Sequence, residues 1–179
     1  MTSDATDPNA DVLPAGAVVR RPTEADQPGI ALAVDQWFGT RRPIPLLARA
    51  WFRHFGGTSW LVAAADGQTL GYLLGFLSPE RPGEAVIHLV AVDPNRRRHG
   101  IGRLLVSRFE AEAREGGAGL ARAVLWPDEP IAVAFFRGLG YRPEDGPGTQ
   151  RLWGVPAWPD YDAPGEDRAV FLRSLDSPG

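Results

Sequence analysis

The stretch Val92-Asp93-Pro94-Asn95-Arg96-Arg97-Arg98-His99-Gly100-Ile101-Gly102-Arg103-Leu104-Leu105 decides how the rest of this chain is read. The apolar run before it, Ala85 to Val92, reads as a strand with two alternating apolar faces, central and buried. It stops at Asp93-Pro94, because proline cannot donate to a sheet ladder. A Gly-x-Gly then opens a helix in which Ile101, Leu104, Leu105 and Phe109 recur at helical spacing. The first N–H groups of a helix lack intrahelical partners, and the helix dipole adds about half a positive charge there. Glycines let a phosphate approach those groups, and neighbouring arginines add charge-assisted hydrogen bonds. The physical reading is a pyrophosphate cradle that needs no lysine. The plain alternative is an ordinary strand-to-helix turn with a solvated arginine run. A dinucleotide-binding fingerprint fits less well, since the position of its third glycine is Leu105.

Composition removes other chemistries. The 179 residues contain no cysteine, and all 19 basic residues are arginine. That excludes a cysteine nucleophile, a disulfide framework, a Schiff-base lysine and a P-loop lysine. Arginine in place of every lysine reads as genomic bias. A net charge of −3 gives no global reason to expect nucleic-acid binding. No run of about 18 apolar residues suggests a membrane span. Residues 1–17 read as a disordered acidic tail without signal-peptide features, and residues 18–179 as a single domain. The cytoplasm is the expected location, and no metal is expected.

Outward from the loop, strands are expected at 18–21, 60–65, 69–77, 85–92, 121–126 and 169–175, with another opening at Tyr141. Helices are expected after the Thr23 cap and at 45–55, 101–116 and 130–137. The connection from Glu144 to Asp167 reads as a long Pro/Gly-rich loop. The fold class is mixed α/β.

The quoted segment closely resembles motif A of the GCN5-related N-acetyltransferases (GNAT), with Arg97, Gly100 and Gly102 on its diagnostic positions. Ala132-Val133-Ala134-Phe135-Phe136-Arg137-Gly138-Leu139-Gly140-Tyr141 resembles motif B of the same family. The resemblance implies a mostly antiparallel sheet of six to seven strands with a central V-shaped splay, flanked by four helices. It implies acetyl-coenzyme A as cosubstrate, held by Arg97, Arg98, His99, Gly100, Ile101, Gly102 and Arg103. It further implies that Val90, Ala91 and Val92 line the pantetheine arm, with Phe135 and Phe136 as further cofactor contacts. A main-chain N–H near Val90 would meet the thioester carbonyl.

N-acetylation needs a neutral amine, yet a primary alkyl amine has a pKa of about 10.4. A general base is therefore useful. Many members of the family carry a glutamate where this chain has His88, which shares strand parity with Val90 and Val92. An imidazole suits that role; a core histidine bonded to backbone is the equal alternative. Glu84 is the backup base. The family's frequent general acid is a tyrosine in motif B, where this chain has Phe136. A thiol with a pKa of about 8.5 can leave without that acid. The resemblance places the acceptor between Trp37–Leu47 and Gly146–Gly165. Trp37, Phe38, Arg41 and Arg42 stand in the first region, and Trp153, Trp158, Asp160, Tyr161 and Asp162 in the second. Trp37, Phe38, Tyr72, Trp153 and Trp158 are the substrate-binding candidates. The other reading packs Trp153 and Trp158 under their own loop or into a homodimer interface. The expected function is acetyl transfer to a small amine or a peptide N-terminus, without nucleic acid or membrane as partner. The alternatives are a catalytically weak acyl-coenzyme A sensor and the same fold with a bulkier acyl donor.

Overall fold

The computed structural model describes residues 13–39 and 47–176. Residues 1–12 of the expected tail, and Arg41, Arg42, Pro45 and Leu46, lie outside the described residues. The strands are β1 (Val18–Arg20), β2 (Trp60–Ala63), β3 (Thr69–Leu77), β4 (Glu84–Val92), β5 (Leu120–Leu125), β6 (Arg142–Pro143), β7 (Gln150–Leu152), β8 (Val155–Ala157) and β9 (Ala169–Ser174). The helices are α1 (Gln27–Phe38), α2 (Arg49–Phe55), α3 (Ile101–Glu115) and α4 (Pro130–Gly138). Seven strands are hydrogen-bonded in the order β1-β2-β3-β4-β5-β9-β6. The β4–β5 pair is parallel, while β1–β2, β2–β3, β5–β9 and β6–β9 are antiparallel. This is the expected mixed, mostly antiparallel architecture.

The described residues fall into two compact units that interleave along the chain. One holds the residues up to Leu74 together with Val90–Phe109; the other holds Gly75–Leu89 together with Glu110 onward.

In the first unit, Ile30, Val34, Leu47, Phe52, Leu61 and Tyr72 are buried. The Phe52 and Tyr72 rings stack at 5.5 Å. Gly71 is a packing requirement of α3. A Cβ at that position would lie 2.7 Å from Ile101 Cγ2 and 3.2 Å from Leu105 Cδ1. The apolar stripe of α3 can therefore lie directly on β3. The Thr23 capping signal serves a short 3-10 turn, Glu24–Asp26, and α1 starts after it.

In the second unit, β5 and β9 pair over six residues, from Leu120 opposite Ser174 to Leu125 opposite Ala169. Phe136, Tyr141 and, on β9 itself, Phe171 are fully buried. Glu110 is buried too, and accepts hydrogen bonds from the Tyr141 hydroxyl at 2.7 Å and from Arg173 NH1 at 3.0 Å. Breaking such a buried pair by removing one partner costs about 3–5 kcal/mol.

Two expectations change. The 144–167 connection is not all loop: it contains the β7–β8 hairpin, a separate two-stranded sheet turned at Trp153-Gly154. Strand β4 is not buried on both faces. Ala85, Ile87, Leu89 and Ala91 are buried, whereas Glu84, Val86, His88, Val90 and Val92 are half-buried. Alternating apolar residues cannot tell a doubly covered strand from one with a single partly open face; that depends on what the tertiary structure lays across it.

Candidate active site

The loop after β4 is built mainly by backbone. Asp93 N–H donates to Leu70 O at 3.0 Å, and Asp93 Oδ1 accepts from Asn95 N–H at 2.9 Å. A short 3-10 turn, Pro94–Arg96, follows from that cap. Arg98 then takes a left-handed φ of 63° and Gly100 one of 87°. For Arg98 this conformation costs about 1–2 kcal/mol, a strain of the kind that concentrates at functional loops. Leu104 N–H donates to Gly100 O at 2.9 Å. The N–H groups of Ile101, Gly102 and Arg103 precede that bond and point out of the helix end. Arg97 Nε lies 3.4 Å from Val92 O, folding its side chain back across the loop. His99 Nδ1 lies 2.9 Å from Arg97 O and donates there when protonated. Arg98, His99 and Arg103 are exposed. Bare N–H groups, a glycine at positive φ and several cations fit a pyrophosphate. Val90 and Val92 remain half-buried beside this loop, and Ala91 is buried.

In the second unit, the β4–β5 ladder runs from Glu84–Leu120 to Ile87–Ala123 and ends there among the described residues. Val86 stands opposite Arg122, and Arg122 opposite Leu172, so these side chains share one face. His88 follows two residues after Val86 on that half-buried face. The residue as a whole is half-buried, while its Nε2 is shielded from solvent. Burial pushes its pKa below the ordinary value; the Asp162 charge raises it and the Arg168 charge lowers it. The neutral imidazole is thus the resting form at neutral pH.

Glu84, the backup base, is committed elsewhere. Arg122 Nε donates to Glu84 Oε2 at 2.6 Å and its NH1 to Glu144 Oε1 at 3.0 Å. The hydrogen bond from Arg122 holds the Glu84 carboxyl below its ordinary pKa. A carboxylate so stabilised is a poor proton acceptor. Trp158 Nε1 donates to Glu144 Oε2 at 3.1 Å. A Cβ on Gly148 would meet the Trp158 ring at 3.0 Å, so this indole packs on its own connection.

Further along, Arg168 is only 5% exposed. Its Nε contacts Asp162 Oδ2 at 2.7 Å, its NH2 Glu166 Oε2 at 2.8 Å and its NH1 Asp167 O at 2.7 Å. Its guanidinium lies 4.9 Å from the Trp126 ring centroid. Arg122, Glu144 and Arg168 were not singled out from the sequence, and Asp162 was named only among the acids of the acceptor region. A charged residue inside the apolar strand run Leu120–Leu125 was the available signal for Arg122.

The remaining candidates divide by exposure. Tyr72 is fully buried under Phe52, and burial raises its hydroxyl far above the usual range. It offers the acceptor no surface here and serves the core, a correction to its reading as a substrate contact. Phe136 is likewise fully buried, edge-on to Phe135 and Tyr141, so it shapes the core and presents no face to a cofactor; Phe135 is half-buried. Trp37 and Phe38 are half-buried at the end of α1. Trp153 is 78% exposed at the hairpin tip, with a φ of 54°. Among the described residues, no group of three His, Asp or Glu side chains is placed to hold a metal, and no helix is long and apolar enough to cross a membrane.

Comparison with known proteins places this geometry. The model of the acetyltransferase (GNAT) family matches residues 30–141. An L-2,4-diaminobutyric acid acetyltransferase of Nocardia farcinica is 32% identical over 114 residues, covering 64% of this chain and 58% of that protein. The protein of the same name from Streptomyces coelicolor is 29% identical over 51% of this chain and 55% of that one. This chain therefore spans a little over half the length of these relatives. Among solved structures, Ard1 of Thermoplasma volcanium superposes with a TM-score of 0.72 at 20% identity, covering 90% of this chain and 99% of that one. Diaminobutyrate acetyltransferase EctA of Paenibacillus lautus, solved with its substrate and coenzyme A, superposes at 0.68 with 18% identity, covering 91% and 98%.

Proposed function

From the premise that this chain belongs to the acetyltransferase (GNAT) family, we propose that it is an N-acetyltransferase moving an acetyl group from acetyl-coenzyme A to a primary amine by direct attack in a ternary complex. The observation that carries this is the layout of β4. A neutral, half-buried His88 stands four residues before Val92, and the chain leads from there directly into a loop suited to phosphate.

When bound, acetyl-coenzyme A supplies an activated acyl group and a thiol leaving group. Its pyrophosphate would be held by the backbone of Arg97–Gly102, with Arg98, His99 and Arg103 adding charge. The half-buried Val90–Val92 edge would line its arm, and the Val90 N–H would polarise the carbonyl. Such a donor contributes on the order of 3 kcal/mol to an oxyanion-like transition state. His88 takes the proton that the acceptor ammonium must lose before its nitrogen becomes nucleophilic. Glu84 has a different part: it anchors Arg122. Trp37, Phe38, Trp153 and Trp158 remain the acceptor-side candidates. The names of the relatives make a short diamino acid the first acceptor to try, with a peptide N-terminus second.

The test is thiol release from acetyl-coenzyme A against diamino acids, polyamines and short peptides. A short diamino acid should raise the rate most, and His88→Ala should lower kcat by about 10²-fold or more. If acetyl-coenzyme A binds and no acceptor raises thiol release, the protein is a binding module instead.

A further inference from the structure

The segment from Trp158 to Arg168 is anchored to residues of β5 and just beyond it, beside the strand that carries His88. Its two ends meet in backbone pairing: Trp158 N–H donates to Arg168 O at 2.8 Å, and Arg168 N–H to Trp158 O at 3.0 Å. Trp158 is tied through Glu144 to Arg122 of β5. Arg168 lies one step beyond the β5–β9 ladder, across from Trp126, with its guanidinium against that ring. Strand register puts Val86 and Arg122 side by side on one face, and the same parity leads to His88 along β4 and to Trp126 just past the end of β5. Both anchors of the segment therefore stand on the His88 face.

The titratable groups around this face include Arg81 before β4, Glu84 on β4, Arg122 on β5, Glu144 after β6, and Tyr161, Asp162, Glu166 and Arg168 on the segment. Glu84 and Glu144 are bound by Arg122, and Glu166 by Arg168 NH2. Asp162 and Arg168 are the two whose charges act on His88. The Asp162 carboxylate is about a quarter exposed and is fixed by Arg168 Nε at 2.7 Å.

We infer that Asp162, pinned by Arg168 on the Trp126 ring, is a positioning residue for His88: its carboxylate stabilises the imidazolium that forms when the acceptor ammonium hands over its proton. The proton leaves the ammonium nitrogen, the amine keeps the electron pair, and His88 becomes cationic. Without a counter-charge that cation would sit half-buried. Arg168 fixes the carboxylate in place, and Trp126 receives the flat guanidinium. This rests on the reading of His88 as the base.

The ionisation of His88 is followed by NMR on labelled, cosubstrate-free full-length protein, beside the pH profile of kcat/KM. Asp162→Asn should lower the His88 midpoint by at least about half a pH unit. Asp162→Glu should restore it, and Glu166→Gln, which removes another carboxylate from the same guanidinium, should leave it in place. Thermal melting of each variant separates loss of fold from loss of charge. A His88 midpoint unmoved in a folded Asp162→Asn variant overturns the inference. A midpoint that moves while the rate profile stays put, with His88→Ala fully active, overturns the base reading and leaves the electrostatic coupling standing.

Discussion

In the loop from Asp93 to Gly100 backbone conformation does the holding, whereas in the segment from Trp158 to Arg168 side-chain charge does. The loop turns on an aspartate cap, a left-handed Arg98 and a left-handed Gly100. Arg96 and Arg98 are exposed, while Arg97 and His99 fold back on the loop's own backbone. The Trp158–Arg168 segment has its own backbone turns, with Asp162 N–H donating to Glu166 O, but it is joined to the strands by the Trp158–Arg168 bridge, the Arg168 guanidinium on Trp126 and the Trp158–Glu144–Arg122 chain, and Arg168 ties its two acids together. A phosphate loop must keep its charges free for a ligand, so conformation has to shape it. A segment anchored beside the strands can spend its charges on its own anchorage. The loop should tolerate side-chain changes and fail when a Cβ is added at positive φ. The segment should fail when a guanidinium fork is lost.

The largest effect is expected at Gly100. Gly100→Trp puts a bulky side chain on a residue with φ of 87°, where the phosphate would lie. Binding of coenzyme A by calorimetry should become undetectable while the rest of the fold melts cooperatively; unchanged affinity breaks the loop half of the contrast.

Arg168→Lys comes next. Lysine is a point charge and cannot keep the separate contacts to Asp162, Glu166 and the Asp167 carbonyl. Each charged hydrogen bond lost is worth about 1.5–3 kcal/mol. The melting temperature should fall, and limited proteolysis should cut within 158–168. A variant as stable and protease-resistant as the parent breaks the other half.

The acid limb of stability sharpens the role of the forks. Arg122 and Arg20 hold the carboxyls of Glu84 and Asp26 below their ordinary values. A depressed carboxyl contributes stability that is present above its unfolded pKa and is lost as pH falls through the folded one. Melting temperature should therefore fall as pH drops below about 4. Arg122→Gln should already be less stable at neutral pH and lose less on acidification; a parallel decline in both proteins would refute the assignment.

Trp153→Asn should have the smallest effect. Asparagine enters the left-handed region more readily than tryptophan, and the ring it replaces is 78% exposed. The melting temperature should stay level or rise, by no more than about 1 kcal/mol in stability. A clear loss would show that the hairpin tip depends on that indole.

Much of the site was legible because its signals are local. Proline ending a strand, Gly-x-Gly opening a helix and the apolar stripe of α3 all act within a few residues, and the structure puts α3 where they place it. The parity that aligns His88 with Val90 and Val92 is equally local. The hairpin at Trp153 was hidden because its turn carries Trp-Gly where Asn-Gly would have signalled it, and Pro156 sits in its second strand. Glu110 with Tyr141 and Arg173 was hidden for another reason: the partners are 31 and 63 residues apart.

The sequence by itself determined the family, the order of most elements and the loop suited to phosphate, because periodicity, caps and glycine act between neighbours. Only the tertiary structure decided that one face of β4 stays partly open, that Tyr72 and Phe136 belong to the core, and that Glu84 serves Arg122. It also decided what the arginine-only composition is used for. A guanidinium on Arg122 or Arg168 can bridge two carboxylates because its donors are planar and fixed, and which carboxylates it meets depends on how distant strands are brought side by side.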